Sequence, residues 1–208
     1  MIDRSSYHTM VRFFEENADE IKALDFDEYF DILVAYVQSL FDVGAYTKHS
    51  AMADVVIEAS IINNVHVYKG INLYEKTLFQ KAASLYNLQR YDESIHILSE
   101  LLKINPGDPN HRAFWINNQL RKKPAYLQIL QGISIVLFFT TILIISISAF
   151  YIEPFKPEYQ EQSMYVRNFM FMAGITLLIL ADGGHRISIY YQITKLINKS
   201  KEKLKRSN

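Results

Sequence analysis

Six histidines, His8, His49, His66, His96, His111 and His185, are the residues best suited to metal or acid–base chemistry. A helical metal site places two of them three to five residues apart, and no pair here has that spacing. No HExxH run occurs, and the seven glycines are scattered, so no phosphate-cradling loop forms. The chain has no cysteine, which removes thiolate nucleophiles, disulfides, iron–sulfur clusters and thiolate metal sites. Asp92, Glu93 and Glu100 fall on the outer face of a predicted helix, where carboxylates are solvated. These residues predict a protein that is not an enzyme, with no catalytic residue, cofactor or metal.

The most unusual polar run is Asp182-Gly183-Gly184-His185-Arg186. If a helix stops at the two glycines, the run is a surface hinge. If the helix continues, Asp182 and Arg186 are four apart and can pair. Gln128 and Gln131 would then lie at a similar depth in the preceding apolar segment, and polar groups there are functional candidates.

That segment decides the setting. Residues 124–152 contain no charged side chain, twenty-nine positions between Lys123 and Glu153. About twenty apolar residues in a helix cross a hydrocarbon core of about 30 Å, so a first span is predicted over about 126–152. A second apolar run covers Met164–Ala181. Its uncharged core, Asn168–Ala181, measures about 21 Å of helix, and Arg167 can extend it by reaching toward headgroups. An interfacial or half-inserted helix is the competing reading of this run. Two prolines and three glutamates between the runs make a turn, so the pair predicts a transmembrane helical hairpin.

Arg121, Lys122 and Lys123 precede the hairpin, whereas Arg186, Lys195 and the tail lysines follow it. By the positive-inside rule both termini are cytoplasmic in an integral membrane protein of two spans. The first residues lack the basic-then-apolar layout of a secretory signal, so the internal segments are expected to direct insertion. Residues 184–208 read as an interfacial helix, with Tyr190 and Tyr191 at headgroup depth, and a basic tail. That tail favours lipid contact over nucleic acid, and the zero net charge of the whole chain argues the same way.

Residues 1–123 read as helices throughout. Ser5 caps the first, which carries Met10, Phe13, Phe14 and Ile21. Asp27 opens a second that stops at Gly44, and Ser50–Asn63 forms a third. Helices over about 72–88 and 91–104 follow, and Asp108 or Asn110 starts a sixth. No stretch alternates long enough to predict a strand.

Leu78–Pro106, LFQKAASLYNLQRYDESIHILSELLKINP, resembles a tetratricopeptide repeat (TPR), a helix–turn–helix unit of about 34 residues. Ala82 stands at the family's small residue, Leu85 at its inward tyrosine, Ser94 at its alanine, Leu98 at its aromatic and Pro106 at its closing proline. Leu78 in place of tryptophan, Lys81 in place of leucine and Leu101 in place of alanine depart from the pattern. A shift of 45 residues aligns Leu33, Leu40, Phe41, Val43, Tyr46, Val56 and Ile57 with Leu78, Leu85, Tyr86, Leu88, Tyr91, Leu101 and Leu102. The excess over the family's period implies an extended linker near Asn63–Gly70. A six-helix bundle without repeats is the competing reading, and both are all-α.

The resemblance implies a concave surface, lined by the first helix of each repeat, that receives a peptide or helix of a protein partner. Helix face places Lys76, Phe79, Gln80, Ser84 and Asn87 on it. The expectation is therefore a membrane-anchored TPR-like adaptor whose partners are a protein and the lipid bilayer, with a homo-oligomer possible. The alternative is a membrane-perturbing effector whose helical domain senses or oligomerises while the hairpin acts on the bilayer. Thr140, Thr141, Ser146, Ser148, Ala173 and Gly174 would then supply its small packing faces.

Overall fold

The computed structural model describes residues 4–122 and 124–207. Met1–Asp3, Lys123 and Asn208 lie outside them, and with them the Asp3 and Lys123 charges and the outer ends of the expected domains. The described chain is almost entirely helical and divides into two units. Residues 4–121 and 193–207 belong to a helical unit, and the remaining stretch, from Lys122 to Gln192, forms an apolar hairpin.

In the helical unit α1 (Arg4–Glu16) is followed by α2 (Ala18–Lys22), α3 (Phe26–Asp42) and α4 (Tyr46–Ile62). Two short strands, β1 (Val67–Tyr68) and β2 (Ile71–Asn72), precede α5 (Leu73–Asn87), α6 (Tyr91–Ile104) and α7 (Pro109–Arg121). Along α3 to α7 each helix packs on the next, and α1 lies on α3. Phe14, Phe30, Leu33, Tyr36, Val37, Leu40, Ala53, Val56 and Leu73 form the buried core, and Phe14 stacks on Tyr36 at 3.9 Å.

The first helix is broken where continuity was expected. Asn17 turns its side-chain amide onto the Phe13 carbonyl at 2.8 Å, and its backbone leaves helical geometry. Ser5 lies inside α1, so it is not the cap that its type suggested. Asp25, not Asp27, occupies the position before α3, and α4 begins four residues before Ser50. Asp108 does cap α7: its Oδ1 accepts from the backbone N–H of Asn110 and His111 at 2.7 and 3.2 Å. The expected linker contains a hairpin instead of extended chain. Lys69 and Gly70 both have positive φ (49° and 80°), the geometry of a two-residue turn that matches strand twist.

Helices α3, α4 and α5 close with the same backbone device. Gly44, Asn64 and Gln89 have φ of 81°, 57° and 60° just past each end. The next amide reaches back five residues: Ala45 to Leu40 at 2.9 Å, Val65 to Ser60 at 2.8 Å and Arg90 to Leu85 at 2.9 Å. Two of these closures sit 45 residues apart, Gly44 and Gln89, and the surroundings match at the same offset. Val37 and Ala82, Ser39 and Ser84, Leu40 and Leu85, His49 and Ser94, Ala53 and Leu98, and Val56 and Leu101 are buried in both members of each pair. Phe41 meets Tyr46 edge-on at 68° and Tyr86 meets Tyr91 at 67°. The helix pairs α3–α4 and α5–α6 thus share turn, ring contact and buried positions.

The hairpin unit begins with α8 (Ala125–Ile147), continues through a π-helical turn (Ser148–Ile152) and a short α9 (Glu153–Phe155), and reverses at Pro157–Tyr159. The return helix α10 (Gln160–Ser207) runs 48 residues. Both arms are long and apolar enough to cross a membrane. The α8 positions Leu127, Ser134 and Thr141 are buried at heptad spacing, as are Gly174 and Ala181 of α10. Gly174 leaves room for the Phe138 ring, which would lie 3.0 Å from any added Cβ. Outside this seam Val136, Phe139, Leu143, Phe169, Ile179 and Leu180 are each at least 60% exposed, a surface that water would not tolerate uncovered.

The separate interfacial helix expected over 184–208 is corrected by the continuity of α10. Neither Gly183 nor Gly184 has positive φ, so neither ends the helix, and residues 193–207 join the helical unit with Ile193 and Ile197 buried.

Candidate functional site

Within the helical unit, two adjoining cavities lie over α3, α5 and the start of α7. One, of about 250 Å³, is lined by Val34, Ala35 and Gln38 of α3, by Tyr68, Lys69 and Ile71 of the strand hairpin, and by Leu73 and Lys76 of α5. The other, of about 390 Å³, is lined by Ile71, Asn72, Glu75, Lys76 and Phe79 with Asp108, Asn110 and His111. They meet at Lys76 and Ile71, so one groove crosses three helices.

Its walls are positioned by local chemistry. Asn72 caps α5, its Oδ1 accepting from the Glu75 amide at 3.1 Å, which sets the first turn under the strand hairpin. Phe79 packs against His111 at 5.3 Å and Phe114 at 5.5 Å, tying α5 to α7. Gln80 donates through Nε2 to Gln38 Oε1 at 3.0 Å, tying α5 to α3. The Lys69 ammonium sits 3.5 Å from the Asp31 carboxylate and 4.6 Å over the Tyr68 ring. Hydrogen bonding from Tyr68 first, then the Lys69 charge, holds the Asp31 carboxyl below its ordinary range. Burial first, and the bond to Asp31 next, raises the Tyr68 phenol.

Two polar atoms of this lining are buried without a hydrogen-bond partner among the described residues: Glu75 Oε1 and His111 Nδ1. Lys76, exposed at the junction, has no carboxylate partner among them. A buried acceptor left unpaired costs about 1–3 kcal/mol, so the cavity gains from a ligand that donates to it.

Of the five groove positions expected from helix face, Lys76 and Phe79 line the larger cavity, and Gln80 borders the α3 side. Asn87 is exposed near the far end of α5, outside both cavities, and donates to the Ala83 carbonyl at 2.8 Å. Ser84 is corrected outright. It is fully buried and lies 2.8 Å from His49 Nδ1, facing α4, because α5 packs on α4 along that side. The Ser84–His49 contact has the types of a nucleophile and base, but both side chains are sealed from solvent and no substrate reaches them. The groove residues that sequence reasoning missed are Gln38, Tyr68, Lys69, Ile71, Glu75 and His111. The Lys69-Gly70 turn was the available signal for the hairpin.

The second set of candidates lies in the hairpin unit. Arg186 Nε donates to Asp182 Oδ2 at 2.9 Å, across the two glycines. One turn of helix joins them, as the continuous-helix alternative requires. Gln128 is exposed and Gln131 half-buried on α8. What the sequence did not show is the bond between Tyr126 of α8 and His185 Nδ1 of α10, 3.0 Å, which pins the open end of the hairpin. Among the described residues, no group of three or more His, Asp or Glu side chains is placed to hold a metal ion. Against known proteins, the chain matches no family model, no curated sequence and no solved structure.

Proposed function

We propose that the chain is a membrane-anchored adaptor whose TPR-like helical domain takes a peptide or helix of a protein partner into the groove over α3, α5 and α7. In this reading α8 and α10 cross the bilayer as a two-span anchor, and both termini are cytoplasmic. The single observation that carries it is the groove itself: apolar side chains of Ile71 and Phe79, the Lys76 ammonium, and buried atoms of Glu75 and His111 without a hydrogen-bond partner among the described residues converge on one surface. A peptide supplies what these lack, with backbone N–H groups for Glu75 and apolar side chains for the floor. The offset of 45 residues between α3–α4 and α5–α6 supports the repeat reading, because stacked repeats bury faces that one alone leaves open.

The effector alternative draws less support. Ser134, Thr140, Thr141 and Ser146 each donate to a carbonyl four residues back in α8, at 2.8–3.0 Å. Their hydroxyls are thereby satisfied inside one helix and line no polar path.

The test is site-specific photocrosslinking in native membranes. A crosslinker at position 76 captures a partner, and the Ile71→Asp/Phe79→Ala variant lowers recovery about tenfold or more, as loss of a central anchor does. The Asn87→Ala variant keeps recovery unchanged. Equal capture from all three proteins defeats the groove assignment. Depolarisation of the membrane on induced expression selects the effector instead.

A further inference from the structure

A further cavity of the helical unit is lined almost wholly by cations and leucines. About 370 Å³ in volume, it is bounded by Lys103 at the end of α6 and by Leu196, Lys199, Ser200, Lys203 and Leu204 of the last turns of α10. These five positions of α10 fall at i, i+3, i+4, i+7 and i+8, one face of the helix. Glu202, the tail's one carboxylate, projects about 130° away from that face at 100° per residue. Lys103 pairs with Glu100, whereas Lys199 and Lys203 have no carboxylate partner among the described residues. Three lysines and a single paired carboxylate leave the lining with a net positive charge, which attracts an anion. Ser200 is buried, with its hydroxyl donated to the Leu196 carbonyl at 2.9 Å.

We propose that this cavity binds a phosphate ester carrying an apolar group. The phosphate bridges Lys103, Lys199 and Lys203, and the apolar group lies on Leu196 and Leu204. Three lysines present nine N–H donors to the acceptor oxygens of one dianion, and lysine serves phosphate as a point charge needing no planar match. The volume is that of sites for small organic ligands. The same chemistry is offered by a phospholipid headgroup and by a free alkyl phosphate.

Lysine acylation followed by mass spectrometry on the full chain separates the two sources. One arm uses detergent-solubilised protein with hexyl phosphate. The other uses protein reconstituted in phosphatidylcholine vesicles with and without phosphatidic acid. Protection of Lys199 and Lys203 by about tenfold, with Lys195 and Lys201 unchanged, is expected in at least one arm. Protection in the first identifies a soluble ester, and protection only in the second identifies a headgroup. The Lys199→Gln/Lys203→Gln variant abolishes protection at Lys103, while Lys201→Gln/Lys205→Gln, which removes equal charge from other faces, retains it. Uniform protection of all tail lysines, or none in either arm, overturns the site. So does equal loss in the two double variants when both keep wild-type circular dichroism.

Discussion

His49 and Ser84 are fully buried and share a 2.8 Å hydrogen bond, yet His49 Nε2 has no hydrogen-bond partner among the described residues. Burial outweighs the nearby Asp42 charge and pushes the His49 imidazole down to about 4. The sign of the linkage follows. Between the unfolded value near 6.5 and about 4, the unfolded chain binds the proton and the folded chain does not. Stability is full above pH 6.5 and falls as pH is lowered through this window, by about 3 kcal/mol at most. Trp115, the single tryptophan, lies buried in the helical unit, so its fluorescence in urea at pH 7 and pH 5 reads the loss. A His49→Leu variant flattens this dependence. Ser84→Ala strands the imidazole and lowers the unfolding free energy by about 1–3 kcal/mol, with partner capture at position 76 unaffected. The sequence placed Ser84 on an open face because periodicity reports which residues share a face, not which neighbour covers it.

Element boundaries turned on a few backbone positions. Gln89 holds a left-handed conformation that glycine adopts without strain, and Gly44 fills the equivalent place 45 residues earlier. Gln89→Gly is expected to raise stability by about 0.5–1 kcal/mol, read by the same fluorescence transition, and Gly44→Ala to lower it by a similar amount. The glycines of α10 have the opposite use. Gly183 and Gly184 stay helical with no atom near an added Cβ, whereas Gly174 is in contact with Phe138. Gly174→Ile forces the two arms apart and costs about 1–3 kcal/mol, while Gly132→Ile, facing open space, is neutral. Thermal unfolding of both variants in the same detergent checks this. The Asp182–Arg186 pair is more than half exposed at both partners, so Asp182→Asn shifts that unfolding by less than about 1 kcal/mol. A larger shift would assign the pair more than surface attraction.

For the whole molecule, the absence of cysteine permits a direct map of topology, since single cysteines can be placed at will. An impermeant maleimide applied to sealed right-side-out vesicles is expected to label Glu158→Cys and to leave Glu93→Cys unlabelled until the membrane is opened. Labelling of Glu93→Cys in sealed vesicles reverses the orientation. What the sequence determined and what it did not follows a physical division. The all-α class, the extents of α5 and α6 and the two long apolar helices came from residue type and period. Each depends on local backbone preference or on the total cost of putting a segment in water, and both are written along the chain. The groove, the buried His49–Ser84 pair, the Tyr126–His185 bond and the lysine-lined cavity join residues from 35 to 101 positions apart. Their existence depends on which faces pack together, so only the tertiary structure decided them.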